Sequence, residues 1–104
     1  MNFTYSMNSL SKMNQNDVCI PNVKADTPTH YIKSIFQKTH IGSIIRYKEF
    51  VWKNDRSMKR ILMTIEWNTK HPKCVSWKEM LRNGNSICIV YDFPKEWKMC
   101  LAKN

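Results

Sequence analysis

The chain has 104 residues, with 17 Lys and Arg against 8 Asp and Glu and a formal net charge of +9. This is one domain at most, too short for a cofactor domain beside a substrate domain. A 42% apolar and 12% aromatic composition excludes a chain that stays disordered. So large a positive charge favours polyanions, nucleic acid above all, although Lys, Asn and Ile make up 33 of the 104 residues and their A/T-rich codons offer a compositional source for the lysines.

Residues 1–16 read as a flexible Asn/Ser/Met-rich tail, with the helical spacing of Met7, Leu10 and Met13 leaving a short docking helix open. Val18 to Val23 is an apolar run ending in a turn, a strand. Thr27-Pro28 reads as an N-cap with proline at the first helical position, and Ile32, Ile35 and Phe36 mark one helix face that stops at Gly42. Ser43 to Lys53, rich in β-branched and aromatic residues, reads as a second strand. Asn54 to Ser57 is a polar turn. Ile61, Met63, Ile65 and Trp67 then alternate with Leu62, Thr64 and Glu66, a third strand with one face on a core. His71-Pro72 breaks the chain, and Ser76 with Glu79 predicts a capping box for a helix through Leu81 that ends at Asn83-Gly84. Ile87 to Tyr91 reads as a fourth strand, stopped by Asp92-Phe93-Pro94. Residues 93–104 form a basic aromatic extension, an extra strand or a turn of helix.

The order β-α-β-β-α-β predicts an α+β fold of the ferredoxin-like kind, with a four-stranded antiparallel sheet in spatial order 4-1-3-2 and both helices on one face. Ile20, Ile32, Phe36, Ile61, Met63, Ile65, Trp67, Leu81 and Ile89 are the expected core. Cys19 and Cys88 are expected on neighbouring strands of the open face.

Over residues 17–92 the chain resembles an RNA recognition motif. Val18-Cys19-Ile20-Pro21-Asn22-Val23 is similar to that family's first-strand hexamer, with Cys19 where an aromatic belongs. Arg60 to Trp67 can be laid on the third-strand octamer, where Arg60, Ile65 and Trp67 fit while Leu62 and Thr64 replace the stacking aromatics. Nearly the same span, from Cys19-Ile20-Pro21-Asn22-Val23 to Tyr91-Asp92, Pro94, Trp97 and Lys98, also resembles a family of small proteins of giant DNA viruses. The second resemblance carries no activity, but it implies a viral protein of the host cytoplasm, the viral factory or the virion.

The first resemblance implies single-stranded RNA or DNA as partner, held without catalysis. Each stacked base is worth about 1–3 kcal/mol, so three missing aromatics remove much of the usual affinity. Compensation is expected from Arg46, Lys48, Phe50 and Trp52, which alternate with Ile45, Tyr47, Glu49 and Val51. The Ile45 set is placed on the core and the Arg46 set on the open face, and a one-residue slip would reverse the two. Lys53, Arg56, Lys59 and Arg60 cluster at the turn between the second and third strands as candidate backbone contacts, with an ordinary solvated hairpin as the other reading. Leu62 belongs to the same candidate interface. Trp97, beside Lys98, is expected either to replace a stacking aromatic or to cover an apolar patch of Cys19, Leu62, Cys88 and Val90.

Other chemistry is not expected. Cys19, Cys74, Cys88 and Cys100 form no C-x-x-C pair, and His71 with Cys74 gives only two of the four ligands of a structural zinc. Gly42 and Gly84 make no phosphate loop. His30 and His40 flank one helix as exposed residues. The expectation is therefore no cofactor, no metal and no enzyme activity. With no signal-peptide pattern and no apolar run of membrane length, the expectation is also no membrane, a reducing compartment and free thiols. The alternative function is a protein–protein interaction module or virion component docking other viral proteins.

Overall fold

In a computed structural model the described residues are 17–102. The expected tail of residues 1–16 and its docking helix lie outside them. The fold is α+β: β1 (Asp17–Lys24), α1 (Thr29–Gln37), β2 (Gly42–Val51), β3 (Met58–Trp67), α2 (Cys74–Arg82), β4 (Ile87–Asp92) and β5 (Lys95–Leu101). The sheet has five strands in the order β2-β3-β1-β5-β4, and every neighbouring pair is antiparallel.

This corrects the four-stranded expectation. The basic extension is a strand, and it separates the expected fourth strand from β1. The reason lies in its own alternation: Trp97 and Met99 are buried while Glu96 and Lys98 are exposed, the period of a half-buried strand. The turn at Phe93-Pro94 folds it back on β4, pairing Ile89 with Trp97 and Ile87 with Met99. Its far end then pairs with β1, Val18 opposite Leu101 and Cys19 opposite Cys100. Cys19 is therefore beside Cys100, and Cys88 stands opposite Lys98.

One cluster joins both helices to one sheet face. Val18, Ile20 and Val23 of β1, Ile61, Met63 and Ile65 of β3, Ile87 and Ile89 of β4, and Trp97 and Met99 of β5 pack with Ile32, Ile35 and Phe36 of α1 and Cys74 and Leu81 of α2. Of the expected core, Trp67 is only partly buried against this cluster. A register shift between Ile20 and Val23 keeps β1's apolar residues inward past Pro21, which has no N–H to give a ladder.

The helix ends differ from expectation. Pro28, not Thr27, is the N-cap of α1, with no side-chain cap. After α1 the left-handed residue is His40, φ 58°, because Gly42 is needed elsewhere: a Cβ there would meet Glu66 O and Ile65 Cγ2 at 2.7 Å. Helix α2 begins one turn early, so no capping box forms: Cys74 N donates to His71 O at 3.1 Å, and the Ser76 hydroxyl turns back to Lys73 O. Its end is as expected. Gly84 takes φ 84°, with Gly84 N on Leu81 O and Asn85 N on Met80 O, the bond pair of a Schellman motif.

Candidate nucleic-acid interface

The face turned away from the helices is ordered in rows by strand register. Lys48, Leu62, Cys19 and Cys100 lie opposite one another across β2, β3, β1 and β5. Arg46, Thr64 and Asp17 form the next row, where the Thr64 hydroxyl donates to Asp17 Oδ1 at 2.7 Å. Phe50 stands opposite Arg60. Between these rows runs a groove of about 400 Å³, lined by Arg46, Lys48, Trp52, Arg60, Leu62 and Cys100 among others.

Trp52 is part of this lining. Its Nε1 donates to Pro21 O on β1 at 2.8 Å, so the indole reaches past β3 and a carbonyl at the β1 bulge holds it in place. The Arg60 guanidinium sits 5.4 Å from the Phe50 ring centre and 5.5 Å from that of Trp52, inside the range of cation–π attraction. Arg60 Nε is buried and has no hydrogen-bond partner in the protein. A buried unpaired donor costs about 1–3 kcal/mol.

Arg46, Lys48, Phe50 and Trp52 therefore share the open face with Arg60 and Leu62. The phase of β2 is not reached by simple alternation. A bulge between Ile44 and Arg46 leaves Ile45 58% exposed and turns Ile44 inward. Ile45 and Val51, expected in the core, are both exposed; only Tyr47 and Glu49 of that set face the helices. Lys53 and Arg56 are exposed in the β2–β3 loop. Lys98 is exposed on the outer part of the sheet, on β5.

Two expected contact residues lie elsewhere. Lys59 is 4% exposed, one residue from Arg60 and so on the opposite face. There its Nζ donates to Thr27 O at 2.6 Å and to Glu49 Oε1 at 2.8 Å. Glu49 Oε2 accepts from Tyr47 and Thr29, each at 2.6 Å. Burial would raise the Glu49 carboxyl, but the Lys59, Thr29 and Tyr47 hydrogen bonds and the Lys59 charge outweigh it and hold the group below its ordinary range. The Tyr47 phenol is pushed up by burial and then by Glu49. Trp97 is 5% exposed on the helix side, stacked on Tyr91 at 4.1 Å with Tyr31 edge-on at 6.4 Å. It neither replaces a stacking aromatic nor covers Cys19 and Leu62.

Cys100 and Asp17 belong to the groove and were not anticipated. The alternation of Trp97, Met99 and Leu101 with Lys98 and Cys100 was the signal for the cysteine. His71 Nδ1 accepts the Lys73 amide and Cys74 is buried. Among the described residues no group of three or more His, Cys, Asp or Glu is placed to hold a metal ion, and no helix is long and apolar enough to cross a membrane. No protein-family model, no curated protein and no solved structure matches the chain.

Proposed function

We propose that this chain binds single-stranded nucleic acid, RNA or DNA, without catalysis, along the groove of the open sheet face. The observation that carries the reading is the convergence of Arg46, Lys48 and Arg60 on one 15-residue-lined groove walled by Trp52. Cations neutralise phosphates and exposed aromatic rings stack bases, and a strand without a complement offers both. The order β2-β3-β1-β5 supports a ferredoxin-like sheet in which β5 fills the fourth place and β4 is an added edge. That arrangement suits a degenerate RNA recognition motif, of viral origin on the resemblance of its sequence.

The test is a titration of the full chain with homopolymer RNA and DNA over a salt series. Three phosphate contacts predict log K falling against log salt with a slope of about −2 for single strands. Arg46→Ala should weaken binding to all sequences alike and flatten that slope by about 0.7. No binding at low salt, or binding indifferent to salt, would overturn the proposal.

A protein-docking role is supported by a different surface. Phe93 is 86% exposed and Val90 53% exposed at the β4 edge, a sheet edge whose backbone is open to another strand. Phe93→Asp would abolish such docking and leave nucleic-acid affinity in place.

A further inference from the structure

The floor of the groove holds two thiols that no part of the proposed binding uses. Cys19 and Cys100 are directly opposite on antiparallel β1 and β5, and both line the groove. The Cys100 Sγ lies 3.7 Å from Cys19 O. Both are free. Two pairs along the ladder, Ala102 N donates to Asp17 O at 3.0 Å, so Cys19 and Cys100 again form a hydrogen-bonded pair. Such pairs have Cα atoms about 5.5 Å apart, within the roughly 4.4–6.8 Å that a disulfide spans. Their Cβ atoms, at about 4.5–5.5 Å, must close slightly to reach the disulfide range, which makes the bond strained and easily reduced.

We propose that Cys100 and Cys19 are a reversible oxidation site, in which Cys100 takes a mixed disulfide from a small-molecule disulfide of the glutathione class and Cys19 resolves it. The Cys100 sulfur, having lost its proton, attacks one sulfur of the oxidised reagent. The reagent's S–S bond breaks and one thiol leaves with that proton. The Cys19 sulfur then attacks Cys100 Sγ, the mixed disulfide breaks, and the second thiol leaves with the proton of Cys19. Two protein thiols are oxidised to one disulfide, and one reagent disulfide is reduced to two thiols.

The order follows from access. Cys100 is half-buried in the groove lining, whereas Cys19 is 7% exposed. Burial, then the neighbouring Cys100, push the Cys19 thiol up to about 11 against a smaller opposing effect of Arg60, which disfavours Cys19 as the first nucleophile. The structural consequence is local. Register pairs Val18–Leu101 and Cys19–Cys100 join β5 to β1, and the bond would fasten the β4–β5 hairpin to the rest of the sheet.

The test uses the full chain carrying Cys88→Ser, which removes the exposed thiol. The reduced protein is treated with oxidised glutathione and its intact mass and non-reduced peptides are measured. The expected product is two hydrogens lighter, links Cys19 to Cys100, melts roughly 5–15 °C higher and returns to the thiol form with reduced glutathione. Adding Cys19→Ser should leave one glutathione on Cys100, and adding Cys100→Ser should leave Cys19 unmodified. A link through Cys74, no link at all, or an adduct on Cys19 that forms equally fast without Cys100 would overturn the proposal.

Discussion

Lys59 Nζ lies 2.8 Å from Glu49 Oε1 on the helix-covered side of the sheet, while Arg60, the next residue, lies over two aromatic rings on the other side. Adjacent cations in one basic cluster thus have different work: one holds the α1–β2–β3 junction together and the other faces the groove. Lys59→Met should cost about 2 kcal/mol, since it takes the paired cation from a largely covered carboxylate, and should leave the salt slope of nucleic-acid binding unchanged. Chemical denaturation and the salt titration of the same variant check both halves.

The same pair sets a pH dependence. The folded-state pKa of Glu49 is depressed, so its contribution to stability is present above the ordinary glutamate range and is lost as pH falls through the lowered folded value. Glu49→Gln should flatten the acid limb of a stability-against-pH curve. An acid limb identical in both proteins would remove Glu49 from the account.

Trp97→Ala should cost about 3–5 kcal/mol, the range for deleting a buried large aromatic, because Tyr91 and Tyr31 both pack on its ring. At a temperature where the variant is still folded, its affinity for single strands should match that of the parent. A weakened affinity with an intact melting temperature would place the tryptophan at the interface instead.

Gly42→Ala should destabilise by about 1–3 kcal/mol, the cost of overpacking, since a methyl group has backbone Glu66 O at 2.7 Å. The melting temperature reads this directly, and an unchanged value would mean that the first β2–β3 pair, Gly42 with Trp67, is free to open.

Leu62 occupies the centre of the open face between Lys48 and Cys19. Leu62→Phe should strengthen binding of single strands by about 1–3 kcal/mol if a base can stack there. A loss of affinity would mean that the groove is filled, not furnished, by the added ring.

Much of this fold was legible from local signals. The strict alternation through Ile61, Met63 and Ile65 named β3 and its buried face, the 3.6-residue spacing of Ile32, Ile35 and Phe36 named the inner side of α1, and Asn83-Gly84 named the end of α2. These are properties of a residue and its near neighbours, and chain geometry alone expresses them. What lies opposite a strand is not such a property. A period of two says which side of β5 is buried; it does not say that β5 rather than β4 pairs with β1, because both present alternating apolar residues. The turn at Phe93-Pro94 and the continuity of the apolar face from Ile89 through Trp97 to Val18 decide it. The bulge at Ile45 is decided in the same way, by the need to keep Ile44, Tyr47 and Glu49 all facing the helices against β3. So the sequence by itself determined the elements, the inward face of most of them and the excess of cations. Only the tertiary structure decided which cations share a groove, which one is buried and which two thiols face each other, because strand pairing is a long-range choice made by the whole core.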